Sequence, residues 1–310
     1  MRRRLLPVDW WVAACNAAIM LVWMPRAASE PLARWFIAVH GVALTLPWLL
    51  RRLPARPRPA VRALRAVYPL LLLVACWLEL GMRHGVVDTA SNDAAIVALD
   101  LAIFGSHLNL AWMPAMPAPW FRELMFGFYW SYYPLMVGVP LLLLARRCHR
   151  TTREVVLRLA VTYLACFIVY FTFPVVGPLD LFPAWHPPDG DGLFARLTWA
   201  MHAGGNSLGT AFPSSHAAGA VTFAVLAWRR GGPGLAALAT LCAAGVVLAT
   251  VYTQNHFAVD AAAGVLLALL LQARVVPVLE PRLAVRSAPD TAARRLDLRP
   301  LRPLTRPSAA

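Results

Sequence analysis

Eight apolar stretches constrain this chain more than any other feature of its sequence. They cover roughly residues 8–24, 32–50, 64–80, 121–144, 155–173, 213–228, 235–253 and 257–276. A helix needs about 20 apolar residues to cross the hydrocarbon of a bilayer, and these runs lie at or near that length. Inside lipid, backbone donors and acceptors must be satisfied within the segment itself, so a run of this kind folds as a helix. Composition points the same way: 59% of the 310 residues are hydrophobic and 14% charged, and the mean hydropathy is +0.58. A soluble domain carries about a quarter of its residues charged. The expected fold is therefore all-α, a polytopic membrane helix bundle with about eight transmembrane helices.

The charged residues set an orientation. All 29 basic residues are Arg, and the formal net charge is +14. They gather at residues 1–4, 51–65, 146–158, 229–230 and 274–306, whereas connections 83–119, 174–211 and 254–256 hold few. An Arg excess marks cytoplasmic connections, so both termini are expected in the cytoplasm. Basic residues interleaved with spans are anchors rather than a groove, which argues against a nucleic-acid partner. The five cysteines, Cys15, Cys76, Cys148, Cys166 and Cys242, form no CxxC pair and imply neither a disulfide framework nor a zinc site. The first span also has secretory-signal features, with Ala27-Ala28-Ser29 after it, but its length and its three tryptophans, Trp10, Trp11 and Trp23, favour a retained anchor.

Outside these clusters the spans are expected to bury almost nothing ionisable, which makes two motifs stand out. One is Pro213-Ser214-Ser215-His216; the other, forty residues on, is His256-Phe257-Ala258-Val259-Asp260. Titratable groups at membrane depth are costly and mark functional sites by default. From His216 the chain runs apolar to Trp228, turns at Arg229-Arg230-Gly231-Gly232-Pro233, and runs apolar back to Thr253. One span down and one back brings both histidines to the same face, outward by the Arg rule. Pro213 is expected at the first helical position, where its missing N–H costs nothing. The free backbone donors of Ser214, Ser215 and His216 would then form an anion site at a helix start. His256 and Asp260 are four apart and share a helix face, so the carboxylate can fix the imidazole tautomer. His256 is the candidate nucleophile and His216 the candidate acid/base.

These residues carry a family resemblance. Phe212-Pro213-Ser214-Ser215-His216-Ala217-Ala218-Gly219-Ala220 resembles the P-S-G-H motif of the type 2 phosphatidic acid phosphatase superfamily. The stretch from Ala249-Thr250 through His256 to Asp260 resembles its S-R-x5-H-x3-D motif. Three departures stand out. Ser215 replaces Gly, Ala249-Thr250 replace Ser-Arg, and the upstream K-x6-R-P element is absent; Phe173-Pro174-Val175-Val176-Gly177-Pro178 stands near its place. Loss of both arginines with retention of His, His and Asp resembles the inositolphosphorylceramide synthase branch, whose members transfer a phosphorylated headgroup between lipids. The resemblance implies a phosphohistidine on His256 oriented by Asp260, with His216 as leaving-group acid, and no cofactor. The resemblance covers about the last half of the chain, and the expected division is accessory spans 1–82, an outward loop with an interfacial helix over 83–120, a phosphatase/phosphotransferase-like core over 121–277 and a cytoplasmic Arg/Pro-rich tail over 278–310.

The expected substrate is a phospholipid or lipid phosphate, with a lipid or alcohol acceptor in a transferase. The expected location is a cell membrane of bacterial inner-membrane type, with the site facing the periplasm or exterior. Phosphoryl transfer needs positive charge near the equatorial oxygens. With the family arginines missing, the candidates for phosphate binding are Ser214 and Ser215 at the helix start, together with Arg122 and Arg196. Two histidines and an aspartate also form a possible zinc set, a reading weaker than phosphate because a phosphate-binding helix start adjoins them. Hydrolysis of phosphatidic acid or a polyprenyl phosphate is the alternative reaction. A non-enzymatic lipid-binding or transport protein is the alternative class. Trp120, Tyr129, Trp130, Tyr132 and Tyr133 read mainly as an interfacial aromatic belt, with some able to line a lipid entrance, and Asp100 as a turn and capping residue with a role in the cap as the alternative.

Overall fold

In the computed structural model the described residues are 5–54, 58–86, 91–187, 189–203 and 208–280. Arg2 to Arg4, Asp88 and the tail from residue 281 lie outside them. The helices, in chain order, are α1 (Pro7–Trp23), α2 (Pro31–Ala43), α3 (Leu46–Arg51), α4 (Pro59–Val86), α5 (Asp93–Phe104), α6 (Leu108–Ala115) and α7 (Pro119–Tyr133). After a π-helical segment at Pro134–Gly138 come α8 (Val139–Ala145), α9 (His149–Thr172), α10 (Pro178–Leu181) and α11 (Leu193–Ala203). The last four are α12 (Ser215–Arg230), α13 (Pro233–Tyr252), α14 (Ala258–Leu270) and α15 (Val276–Leu279), with a second π-helical segment, Leu271–Val275, between the final two. Proline opens α1, α2, α4, α7 and α13, in the first turn where no intrahelical acceptor awaits its absent N–H.

Seven helical stretches among the described residues are long and apolar enough to cross a membrane, and they match seven of the eight expected runs. The eighth, α12, has 16 residues and spans about 24 Å at 1.5 Å per residue. It occupies the centre of the bundle, against α9, α13 and α14. Its small residues permit this. A side chain on Gly264 of α14 would meet the carbonyl of Ser214, so the starts of α12 and α14 are in backbone contact.

Two expectations are corrected. The interfacial helix expected within 83–120 is not a single helix: the stretch divides into α5 and α6, bent by 58°. The polarity of α5 is inverted relative to a soluble helix. Leu99, Leu101 and Ile103 are exposed, while Asp93 and Asp100 are buried against the core. Secondly, the bundle buries many ionisable groups, and most are paired. Asp9 of α1 binds Arg65 and, at 2.6 Å, Tyr68 of α4. His40 of α2 bridges Asn16 at 2.8 Å and Glu79 at 3.0 Å, and Trp23 also donates to Glu79. Far from the histidine motifs, Arg158 donates to Gln272 and Glu280, Arg229 to Glu280 and Arg230 to Glu154. Breaking such pairs leaves an uncompensated buried charge, whereas the intact pair contributes little net stability. They fix which helix faces meet.

Candidate active site

The starts of α12 and α14 meet edge to edge. Ser214 is the N-cap of α12, its Oγ accepting from Ala217 N at 3.3 Å. Pro213 therefore precedes the cap instead of occupying the first helical position. Its carbonyl accepts from the Tyr170 hydroxyl at 2.8 Å. Ser214 does not offer its N–H to an anion: that group donates to the Asp260 carbonyl at 2.9 Å. Of the three donors expected to form an anion site, only the N–H groups of Ser215 and His216 lack an intrahelical acceptor, and that of Ser215 is directed to Tyr170.

Asp260 does two further things. Its Oδ2 accepts from Phe257 N at 2.9 Å, closing the first turn of α14. The same oxygen lies 3.6 Å from His256 Nδ1, the geometry of an orienting carboxylate slightly beyond hydrogen-bond length. His256 is positioned from behind as well, since its N–H and that of Asn255 both donate to the Thr250 carbonyl, at 3.0 and 3.1 Å. Thr250, standing where the family motif has Arg, is fully buried in α13 and donates its own hydroxyl to Val247. It holds the turn and not a ligand.

The imidazoles of His216 and His256 face each other edge to face with ring centroids 5.8 Å apart. Tyrosines enclose His216. Tyr129 stacks on it at 4.9 Å, Tyr132 lies at 4.4 Å, and the Tyr133 hydroxyl is 3.3 Å from its Nε2. Tyr129 and Tyr132 are buried, so their place is around the histidine and not in an interfacial belt; Trp120 is exposed.

A cavity of about 490 Å³ opens from this point. Ser215, His216, Asn255 and His256 form its polar end. From there it runs between α4 (Leu70, Leu71, Val74), the α7–α8 span (Met136, Val137, Leu141) and α9 (Tyr163, Phe167). Val176, Leu179 and Asp180, Met201 and His202 of α11, and Thr210 and Ala211 cap it. The cap is built on Gly177, whose φ of +100° and 2.8 Å clearance to the Ala211 Cβ admit no side chain without strain.

Neither candidate arginine lines this cavity. Arg122 binds the carbonyl of Pro117 and pairs with Asp189 at 2.7 Å, holding that carboxyl below its usual range. Arg196 is exposed on α11. No Arg or Lys is found among the described residues that line the cavity. Sequence reasoning gave His202 and Asp93 no role, and read Asp100 as a turn and capping residue without its partner. His202 shares the cavity with the two motif histidines. Asp100, fully buried, accepts from Val259 N at 3.0 Å and so caps α14, and Asp93 accepts from Val176 N and Gly177 N, each at 3.0 Å. The only sequence signal for the last two was a pair of carboxylates in an otherwise apolar helix. Among the described residues no three His, Cys, Asp or Glu side chains converge in metal-ligand geometry.

The fold and site define a multi-pass helical membrane protein with paired histidines at the end of an apolar cavity. Residues 94–274, more than half the chain, match the PAP2 superfamily. The chain belongs to that superfamily, of lipid phosphatases and phosphotransferases, and is an enzyme of this kind. No curated protein and no solved structure matches it.

Proposed function

We propose that this enzyme transfers a phosphorylated headgroup from one lipid to the hydroxyl of another through a phosphohistidine on His256. The observation that carries the reading is the opposition of His216 and His256 at 5.8 Å on an apolar cavity, with Asp260 behind His256. In the first step His256 Nε2 attacks phosphorus and the bond to the leaving oxygen breaks, with His216 giving that oxygen a proton. In the second, the acceptor hydroxyl attacks phosphorus, yields its proton to His216 and displaces the imidazole. Splitting one displacement into two in this way is covalent catalysis, and each proton transfer contributes about 10²–10⁴-fold.

The tyrosines favour the acid role of His216, because aromatic faces attract the imidazolium that forms when it holds the proton. The cavity favours a lipid. Its wall from Tyr129 to Leu141 covers ~18 Å along the helix, more than half of the ~30 Å hydrocarbon thickness. The absence of Arg and Lys among its described lining residues favours a diester over a monoester, since a diester carries less charge to be balanced.

The test is a panel of purified phospholipids, including an inositol phospholipid and phosphatidic acid, each with and without ceramide or diacylglycerol. Headgroup transfer dependent on the acceptor supports the reading. Release of inorganic phosphate from phosphatidic acid, with no transfer, replaces it with a phosphatase. The Arg distribution supports an outward face for the histidines. Cysteines at positions 191 and 153 in a cysteine-free background should then label from opposite sides with an impermeant reagent.

A further inference from the structure

We infer that His202 is the third histidine of the site and binds the substrate's phosphate oxygens in the place of the arginines that this chain lacks. The inference rests on the lipid-phosphate reading above and goes beyond it in assigning a residue outside both histidine motifs. His202 lies on α11 and lines the same cavity as His216 and His256, near enough to both to interact with them electrostatically. Its Nδ1 is buried and has no hydrogen-bond partner among the described residues. The helix that carries it is fixed: Phe194 N donates to Glu123 of α7 at 3.2 Å, and Trp199 packs edge-on against both Phe126 and His202.

Phosphoryl transfer requires positive charge or donors at the equatorial oxygens. The cavity's described lining offers no Arg or Lys, His256 is committed to phosphorus and His216 to the leaving oxygen. Asp180, the carboxylate on the same wall, already has an interaction of its own. His202 is the remaining group able to carry a proton toward the phosphate. Burial, and then His256, push its pKa down to about 4, so at neutral pH it is uncharged. A phosphate oxygen beside it favours the protonated form and draws a proton in as the anion binds. A neutral pocket that becomes cationic only with its ligand accommodates an apolar lipid more readily than a permanently charged one.

The experiment uses full-length protein and the phospholipid of the panel with the highest turnover. His202→Gln, which keeps size and a donor but not the charge, is expected to lower kcat/KM at least tenfold, mainly through KM, with an unchanged melting temperature. His202→Ala should fall further, and His202→Arg should exceed both, because it restores a cation. Wild-type kcat/KM in His202→Gln overturns the inference. So does a loss shared equally by the Gln, Ala and Arg proteins with a lowered melting temperature, which would make His202 a packing residue. Absence of turnover by the wild type on every phospholipid is a different result, since it removes the underlying lipid-phosphate reading.

Discussion

At the scale of single residues, the division of labour within the histidine pair gives separable outcomes. Asp260 accepts from Phe257 N and faces His256 Nδ1, so Asp260→Asn keeps the turn's shape while offering the imidazole the wrong partner. By analogy with the equivalent change in a Ser-His-Asp triad, activity should fall by about 10⁴-fold, measured as kcat on purified protein. His216→Ala should lose activity on a phospholipid and recover much of it on an aryl phosphodiester, whose leaving group needs no proton. Equal losses on both substrates would remove the acid role. His216, His256 and Asp260 were legible because chemistry and spacing coincide within two short motifs. Arg122 misled because nothing in its neighbourhood announces Asp189, 67 positions away. His202 was invisible for the same reason: a histidine in a connection acquires meaning only when the cap folds over the cavity.

Among the elements, α5 illustrates how an inverted polarity hides a role. Its apolar outer face and the turn after it read as a helix lying on the membrane, while its carboxylates face inward to the starts of the segments that hold the site. Asp100→Ala would leave the buried Val259 N–H without its acceptor at the N-terminus of α14. That should cost about 1–3 kcal/mol, read as a lowered melting temperature, together with a fall in activity as His256 and Asp260 lose register. An unchanged melting temperature would show the contact to be dispensable. The spans themselves were legible because hydrocarbon demands an apolar run of known length. The buried ion pairs, such as Asp9 with Arg65, were not, since each partner lies at the edge of a different run. Read singly, these residues look like interfacial anchors.

Across the whole molecule, the accessory helices and the family core build one cavity between them. Helix α4 precedes the matched region, yet Leu70, Leu71 and Val74 form one wall of the space that ends at the histidines. Filling that wall with Val74→Trp should reduce kcat/KM for a long-chain phospholipid at least tenfold and leave turnover of a short-chain, water-soluble analogue within about twofold, because uniform binding is lost far from the reacting atoms. Loss on both substrates would indicate damage to the fold instead. The central claim is that phosphorus passes through His256. It is tested most directly by quenching the enzyme during turnover of a phospholipid labelled in its phosphate and mapping the label by mass spectrometry under conditions that preserve phosphohistidine. The account predicts label on His256 in the wild type and none anywhere in His256→Ala; label on His216, or turnover by His256→Ala at the wild-type rate, would contradict it.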